Sequence, residues 1–413
     1  MTSTAASVFG IALAILSNSE GLGSNYESSA VGVALILFFT NMPGLFFSIF
    51  AGVGADWYNR KKIMFATSII RFGLAMIFVV FKGWDSSFIA YSIVFLKSGV
   101  TQIYMPSQAS VIPDIIKKKN IMLANSVINL TNYSTYFLGV VGAGTFIRIF
   151  GEEHTFTVLG AMFLVGAALI PFIRVPKRET PSISFSTFLS GIMQVLVSLK
   201  EAMKYIWNGK VQRFAMIHNF LTTSVLFIII SIIFKLANFL IKVDARDVGI
   251  VTMLPLIIGV LGSMVYLNTF AKNSKRVATI HNGVILAAFA FVTITILTLV
   301  RFNADSIVAS YNLPMSIDSL IWGGTLFGLM IIGLCFPLLI IPAQTLIHED
   351  TERNIRGRVF GIWFAINQAI ATIPAIIISV LADSSLGIPT TATLLSIGII
   401  MYAIILIPFR KLA

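Results

Sequence analysis

The sequence predicts an all-α integral membrane protein made of two related six-helix halves, the first helix incomplete at its N-terminus. Three observations carry this. Hydrophobic residues make up 57% of the 413-residue chain and charged residues 11%, too little charged surface for a soluble protein of this size. Apolar runs long enough to cross a hydrocarbon core of roughly 30 Å, about 20 residues each, recur along the chain. A polar pattern also repeats: Pro106-Ser-Gln108, five residues, then Asp114 and Lys117, returns as Pro342-Ala-Gln344, five residues, then Asp350 and Arg353, each matched position displaced by 236 (342 minus 106).

In chain order the expected spans cover about residues 30–53, 62–81, 87–106, 121–147 and 154–173, then 214–241, 248–270, 277–300, 319–341, 359–381 and 388–409. Ahead of these eleven, Ala5 to Leu16 is apolar for 12 residues, which at helical rise covers about 18 Å of the core. That stretch is expected to be the later part of a twelfth helix whose start is missing from the sequence. No Lys or Arg precedes it, which argues against a signal peptide.

Charge orients the spans. The segments around Arg60, Lys117 to Lys119, Arg174 to Arg213, Lys272 to Arg276, Arg353 to Arg358 and Arg410 to Lys411 hold 21 of the 29 basic residues and are assigned to the cytoplasm. The alternate segments hold Lys82, Arg148, Lys242, Arg246 and Arg301 beside ten carboxylates, Asp383 among them. The net charge of +12 is therefore a topological signal and not a nucleic-acid patch. The expected organisation is an N-terminal transmembrane half over 1–174, a cytoplasmic linker over 175–213 and a C-terminal transmembrane half over 214–413. Within the linker Phe185, Phe188, Ile192, Val195, Leu199, Met203 and Ile206 recur every three or four residues, the pattern of an amphipathic helix on the inner leaflet.

Chemistry inside the membrane is sparse. All 17 carboxylates fall in loops or at helix ends. Arg71 and Lys97 lie near mid-span, where charge is expensive and usually faces a cavity or a partner. Two readings stay open: Lys97, with Thr101 and Gln102 a turn further on, faces a central path; or Arg71 and Lys97 pair with carboxylates of the absent start of the first helix, or snorkel outward. Lys235, near the outer interface, is expected to snorkel. Asn129, Asn132, Tyr133 and Tyr136 follow helical spacing and share one face. They, Asn219 with Thr222 and Thr223, and Asn367 with Gln368 either contact substrate or hydrogen-bond helix to helix.

Between the first two full spans runs Gly52-Val-Gly-Ala-Asp56-Trp-Tyr-Asn59-Arg60-Lys61-Lys62. Glycines there permit close backbone approach, Asp56 can accept from a helix start, and Asn59 tolerates a left-handed turn. The spacing resembles the signature between the second and third helices of the major facilitator superfamily of transporters. Trp57 and Asn59 depart from it, standing where a basic residue and a glycine are usual. Pro106, Ala109, Pro113 and Asp114, then Leu123-Ala-Asn125-Ser126, and in the second half Arg356-Gly357-Arg358-Val-Phe360 with Pro374, are similar to the drug-exporter branch that includes macrolide-efflux proteins and the enterobactin exporter. A further departure is Gly139-Val-Val-Gly142-Ala-Gly144, which lacks the proline of that branch's fifth-helix motif.

The resemblance implies a major facilitator fold whose halves rock around a central cavity, with Gly52, Asp56, Arg60, Lys61, Arg356, Gly357 and Arg358 as gating residues. It implies a monomeric multi-pass protein of the plasma or inner membrane with a cytoplasmic C-terminus, exporting amphiphilic or hydrophobic small molecules on an ion gradient, with the proton as coupling ion. Alternatives are a lysophospholipid or nutrient carrier, or a membrane sensor or scaffold without transport. No cofactor or metal is expected. Cys335 is the single cysteine, and the sequence has no His-Glu-x-x-His, Gly-x-Ser-x-Gly or Gly-x-x-x-x-Gly-Lys-Ser/Thr. An enzyme is therefore not expected, and ATP bound by this chain is not the energy source.

Overall fold

The computed structural model describes residues 29–47, 59–115, 121–173, 197, 200–269, 275–303, 317–352, 359, 362–363 and 366–408. All regular structure among them is helical. The chain runs through α1 (Ala30–Asn41), α2 (Arg60–Val80), α3 (Ser87–Ile115), α4 (Ile121–Leu169), α5 (Lys210–Ile241), α6 (Ala245–Thr269), α7 (Arg276–Phe302), α8 (Ile317–Asp350), a π-helical turn at Ile366–Ile370, α9 (Thr372–Asp383) and α10 (Gly387–Ile405). Among the described residues nine helices are long and apolar enough to cross a membrane, and each coincides with an expected span. The remaining two expected spans correspond to the first part of α4 and to the π-helical turn with α9.

Local chemistry sets the boundaries. Pro43 lacks an N–H, and α1 turns at Met42, where Leu45 N donates to the Met42 carbonyl before the helix resumes to Phe47. Asn59 has extended backbone (φ −62°, ψ 106°), and its side chain accepts from Lys61 N and Lys62 N, so it is the N-cap of α2 and not the left-handed turn expected of it. At Gly151 (φ 72°, ψ 178°) the backbone enters a region open in practice to glycine alone, breaking α4 into two helices without a separate loop. The repeated Pro-x-Gln pattern sits near the end of α3 and near the end of α8, which stop at Ile115 and Asp350.

The chain divides into two compact units. One takes in residues 35–201 and 368–372, the other residues 29–34, 202–367 and 373–413. In the first, α2 packs on α3 and α4. Met64, Tyr104, Val111 and Ile170 form a buried cluster at one level, and the rings of Phe78 and Phe156 lie 4.6 Å apart at another. In the second, α8 packs against α5, α6 and α7, and α7 also against α10. Glycine permits the tightest crossing: a Cβ on Gly259 of α6 would collide with the Met330 carbonyl, and one on Gly333 of α8 with the Leu256 carbonyl. The opposite face of α6 is apolar and open, with Leu254, Ile258, Leu261 and Val265 at helical spacing all more than half exposed. That is the surface of a helix solvated by lipid.

Candidate functional site

Arg71 is the most deeply buried charge among the described residues of the first unit, 1% exposed. Its guanidinium carbon lies 4.3 Å from the ring centroid of Tyr104 on α3 and 5.4 Å from that of Phe163 on α4. Nε donates to the Thr67 carbonyl at 3.3 Å and an Nη to Ser68 Oγ at 3.4 Å. A buried cation needs compensation. Here two aromatic faces supply part of it, and a desolvated cation–π contact is worth about 2 kcal/mol or more. Among the described residues no carboxylate pairs with Arg71.

Lys97 is 4% exposed and close enough to Arg71 to feel its charge. It lies seven residues before Tyr104 on α3, hence on the face that meets α2. Thr101 spends its hydroxyl on the Lys97 carbonyl at 2.9 Å. Gln102 belongs to another face, where its amide lies against Gly44. That face carries the contacts to the α1 segment, with Tyr91 stacked on Phe39 at 5.2 Å, Phe95 edge-on to Phe47, and Gly99 against the Phe47 ring. Lys97 and Gln102 thus fall on different sides of α3.

Of the gating residues, Arg60 and Lys61 open α2. Lys61 Nζ donates to the carbonyls of Pro171 (2.6 Å) and Ile173 (2.9 Å), a cation on the free carbonyls that follow α4. Gly52, Asp56, Arg356, Gly357 and Arg358 lie outside the described residues. Asn129, Asn132 and Tyr136 lie on α4 and Gln368 in the π-helical turn, but their side chains are outside the description.

In the second unit Asn219 is buried on α5. Nearby, His218 Nε2 meets the Leu339 carbonyl at 3.1 Å and Nδ1 meets Tyr402 Oη at 2.6 Å. A carbonyl only accepts, so Nε2 carries hydrogen and the Tyr402 hydroxyl donates to Nδ1. Thr222 stands 3.4 Å from the ring. This group borders an apolar cavity of about 50 Å³ walled by Thr222, Phe291, Cys335, Phe336 and Tyr402, with a second of about 30 Å³ around Ile229 and Leu395. A drug-sized ligand needs about 300 Å³ or more. Both cavities are smaller than that. Asn367, in the π-helical turn, donates to the Trp363 carbonyl at 2.7 Å, while its buried Oδ1 meets no partner among the described residues. Such turns are frequent at functional sites.

Two polar clusters were not anticipated from the sequence. Asp350, at the end of α8, accepts from Gln212 Nε2 on both its carboxylate (2.8 Å) and its carbonyl (2.9 Å). Asp383, at the end of α9, accepts from Ser29 Oγ, Ala30 N, Val31 N and Lys235 Nζ. Lys235 therefore pairs with a carboxylate where it was expected to snorkel. The signals that existed were a cap-type serine before an apolar run and an aspartate just after one.

The family model described as the Major Facilitator Superfamily matches residues 1–317. The chain belongs to this superfamily. It is 27% identical over 174 residues to the uncharacterized MFS-type transporter YkuC of Bacillus subtilis, a match that covers 41% of the chain and 40% of YkuC. It is 22% identical over 346 residues to the uncharacterized MFS-type transporter YfiS of the same organism, covering 81% of the chain and 74% of YfiS. Among solved structures, a POT family transporter in complex with 5-aminolevulinic acid superposes with a TM-score of 0.70 at 12% identity, covering 99% of the chain and 94% of that structure. At that identity the likeness is one of fold.

Proposed function

We propose that this superfamily member is a secondary active transporter of the cell membrane that exports amphiphilic or hydrophobic small molecules by alternating access, using a proton gradient, with its C-terminus in the cytoplasm. The observation that carries the transport reading is the family match over residues 1–317. Export, and the class of substrate, rest on the resemblance of the Pro106–Asp114 and Arg356–Phe360 segments to drug exporters. In this reading Asp56 and Arg356 to Arg358 form the inner gate. Asn219 and Gln368 are substrate contacts, joined by Asn367, whose free Oδ1 can accept from a donor on the substrate. Lys97 and Arg71, two buried cations within electrostatic reach, are where an anionic group or a change of protonation is felt most strongly.

A second reading is favoured by one observation: the carboxylates described here, such as Asp350 and Asp383, stand at helix ends and not in mid-span. A sensor or scaffold without transport would look like this. Accumulation of amphiphilic dyes in expressing and non-expressing cells separates the readings. Export predicts lower accumulation with the protein, restored by a protonophore. Higher accumulation would reverse the direction, and equal accumulation across a chemically broad set would favour the sensor.

A further inference from the structure

The stretch that leads into α5 has one face held by the protein and one left open. Residues 202–208 are helical, Gly209 is the N-cap of α5 with extended backbone (φ −80°, ψ 123°), and the helix restarts at Lys210. On the held side Ala202 and Ile206 are buried, Tyr205 Oη donates to the Asp350 carbonyl at 3.3 Å, and Gln212 Nε2 donates to the carbonyl and the carboxylate of Asp350. On the open side Met203 and Trp207, four residues apart and so on one face, are 41% and 66% exposed. Lys204, three residues before Trp207, is exposed too, as are Lys210 and Arg213.

Length puts this face at the edge of the bilayer. α5 has 32 residues, about 48 Å at helical rise against a hydrocarbon core of roughly 30 Å. Lys210, Gln212 and Arg213 precede its apolar run, which begins at Phe214, so the first turn and the segment ahead of it fall outside the core. Three cations and no carboxylate stand between Ala202 and Arg213. Arg213 Nη1 donates to the Trp207 carbonyl at 3.2 Å, which brings its guanidinium to the end of the helical segment. Lys210 and Arg213 also lie at the positive end of the α5 dipole, in a first turn that contains no acidic residue. An anion complements all three charges. An indole two-thirds exposed beside them is suited to neither water nor hydrocarbon, and its usual place is the boundary between the two.

We propose that residues 203–213 form a docking surface for anionic phospholipids of the surrounding bilayer: Lys204, Lys210 and Arg213 take the headgroup phosphates, and Trp207 with Met203 enters the headgroup boundary. Asp350 holds the stretch in place from the other side, so the surface is built before lipid arrives. The proposal does not rest on the transport reading and applies to a carrier or a sensor alike. Its test uses the indole of Trp207. The full chain and a Trp207→Phe variant are reconstituted into phosphatidylcholine vesicles that contain an equal fraction of either brominated phosphatidylglycerol or brominated phosphatidylcholine, and the difference between the two proteins gives the quenching of Trp207 alone.

The anionic lipid is expected to associate with the Trp207 site about fivefold or more as strongly as the zwitterionic one, the factor that a single basic residue near an anionic surface contributes. Lys204→Gln together with Lys210→Gln should bring the two lipids close to parity while Trp207 remains quenched by both. In the unsubstituted protein the preference should also shrink as salt is raised, a readout that needs no variant to fold. Equal quenching of Trp207 by the two lipids at low salt would overturn the proposal, as would a preference that neither salt nor the double variant reduces. Quenching of Trp207 by neither lipid would overturn it as well, because the open face would then lie away from the bilayer and be free for a soluble acidic partner.

Discussion

Among the described residues, Arg71 shows how aromatic faces compensate a charge in an apolar core. Tyr104→Leu keeps an apolar side chain but removes the nearer aromatic face along with some volume, and is expected to destabilise the protein by about 2 kcal/mol or more. Arg71→Met should cost less, because deleting the charge also removes its desolvation penalty. Thermal unfolding of the purified protein in detergent ranks the two. Equal costs would mean that the ring is not what holds the guanidinium. The sequence could mark Arg71 and Lys97 as expensive, since position within a span is readable from hydropathy alone. It could not supply the partners, because Tyr104 and Phe163 come from two other helices, 33 and 92 residues away in the sequence numbering (104 minus 71; 163 minus 71). The same holds for Lys235 and Asp383, whose separation of 148 residues hides the pair from any local reading.

Helices are where the sequence was most informative and where glycine decides the packing. Substituting Ala for Gly333 puts a methyl group into the Leu256 carbonyl, so α6 and α8 must separate, an overpacking cost of about 1–3 kcal/mol. Gly73 in α2 has open space around it. Gly73→Ala is expected to be neutral or to stabilise by about 0.5–1 kcal/mol through lower backbone entropy of the unfolded chain. Melting curves that order these two variants the other way would contradict the described crossing of α6 and α8. Lys61→Met removes a cation from the carbonyls of Pro171 and Ile173, with an expected loss of about 0.3–1 kcal/mol that shrinks in high salt. Helix positions were legible because a membrane span leaves a long apolar record. The cap at Asn59 was misjudged because asparagine suits both a left-handed turn and an N-cap, and its backbone angles alone distinguish them.

For the whole molecule, the all-helical membrane fold and the superfamily were legible in the apolar periodicity and the Gly52–Lys62 loop, whereas the candidate site was legible only as a set of residue types. Which polar groups converge depends on packing that no spacing rule contains; Thr101, for instance, proves to spend its hydroxyl on its own helix. The topology expected from charge places Asn59 inside and Asn303 outside. Single cysteines there, in the Cys335→Ser background, should respectively resist and accept an impermeant thiol reagent in intact cells. The inner loop adds a functional expectation. Asp56→Asn should slow transport without preventing insertion, and unchanged flux at normal expression would leave that loop a topological role alone.

The most direct measurement of the central claim is flux in proteoliposomes containing the full chain, with an imposed pH gradient and an amphiphilic fluorescent substrate. The account predicts transport that moves protons in the opposite direction, collapses with a protonophore, and falls by about tenfold or more in Lys97→Met, the change that about 1.4 kcal/mol of lost coupling produces. Folded, correctly inserted protein that moves no member of a broad substrate set, or flux indifferent to the proton gradient, would contradict it.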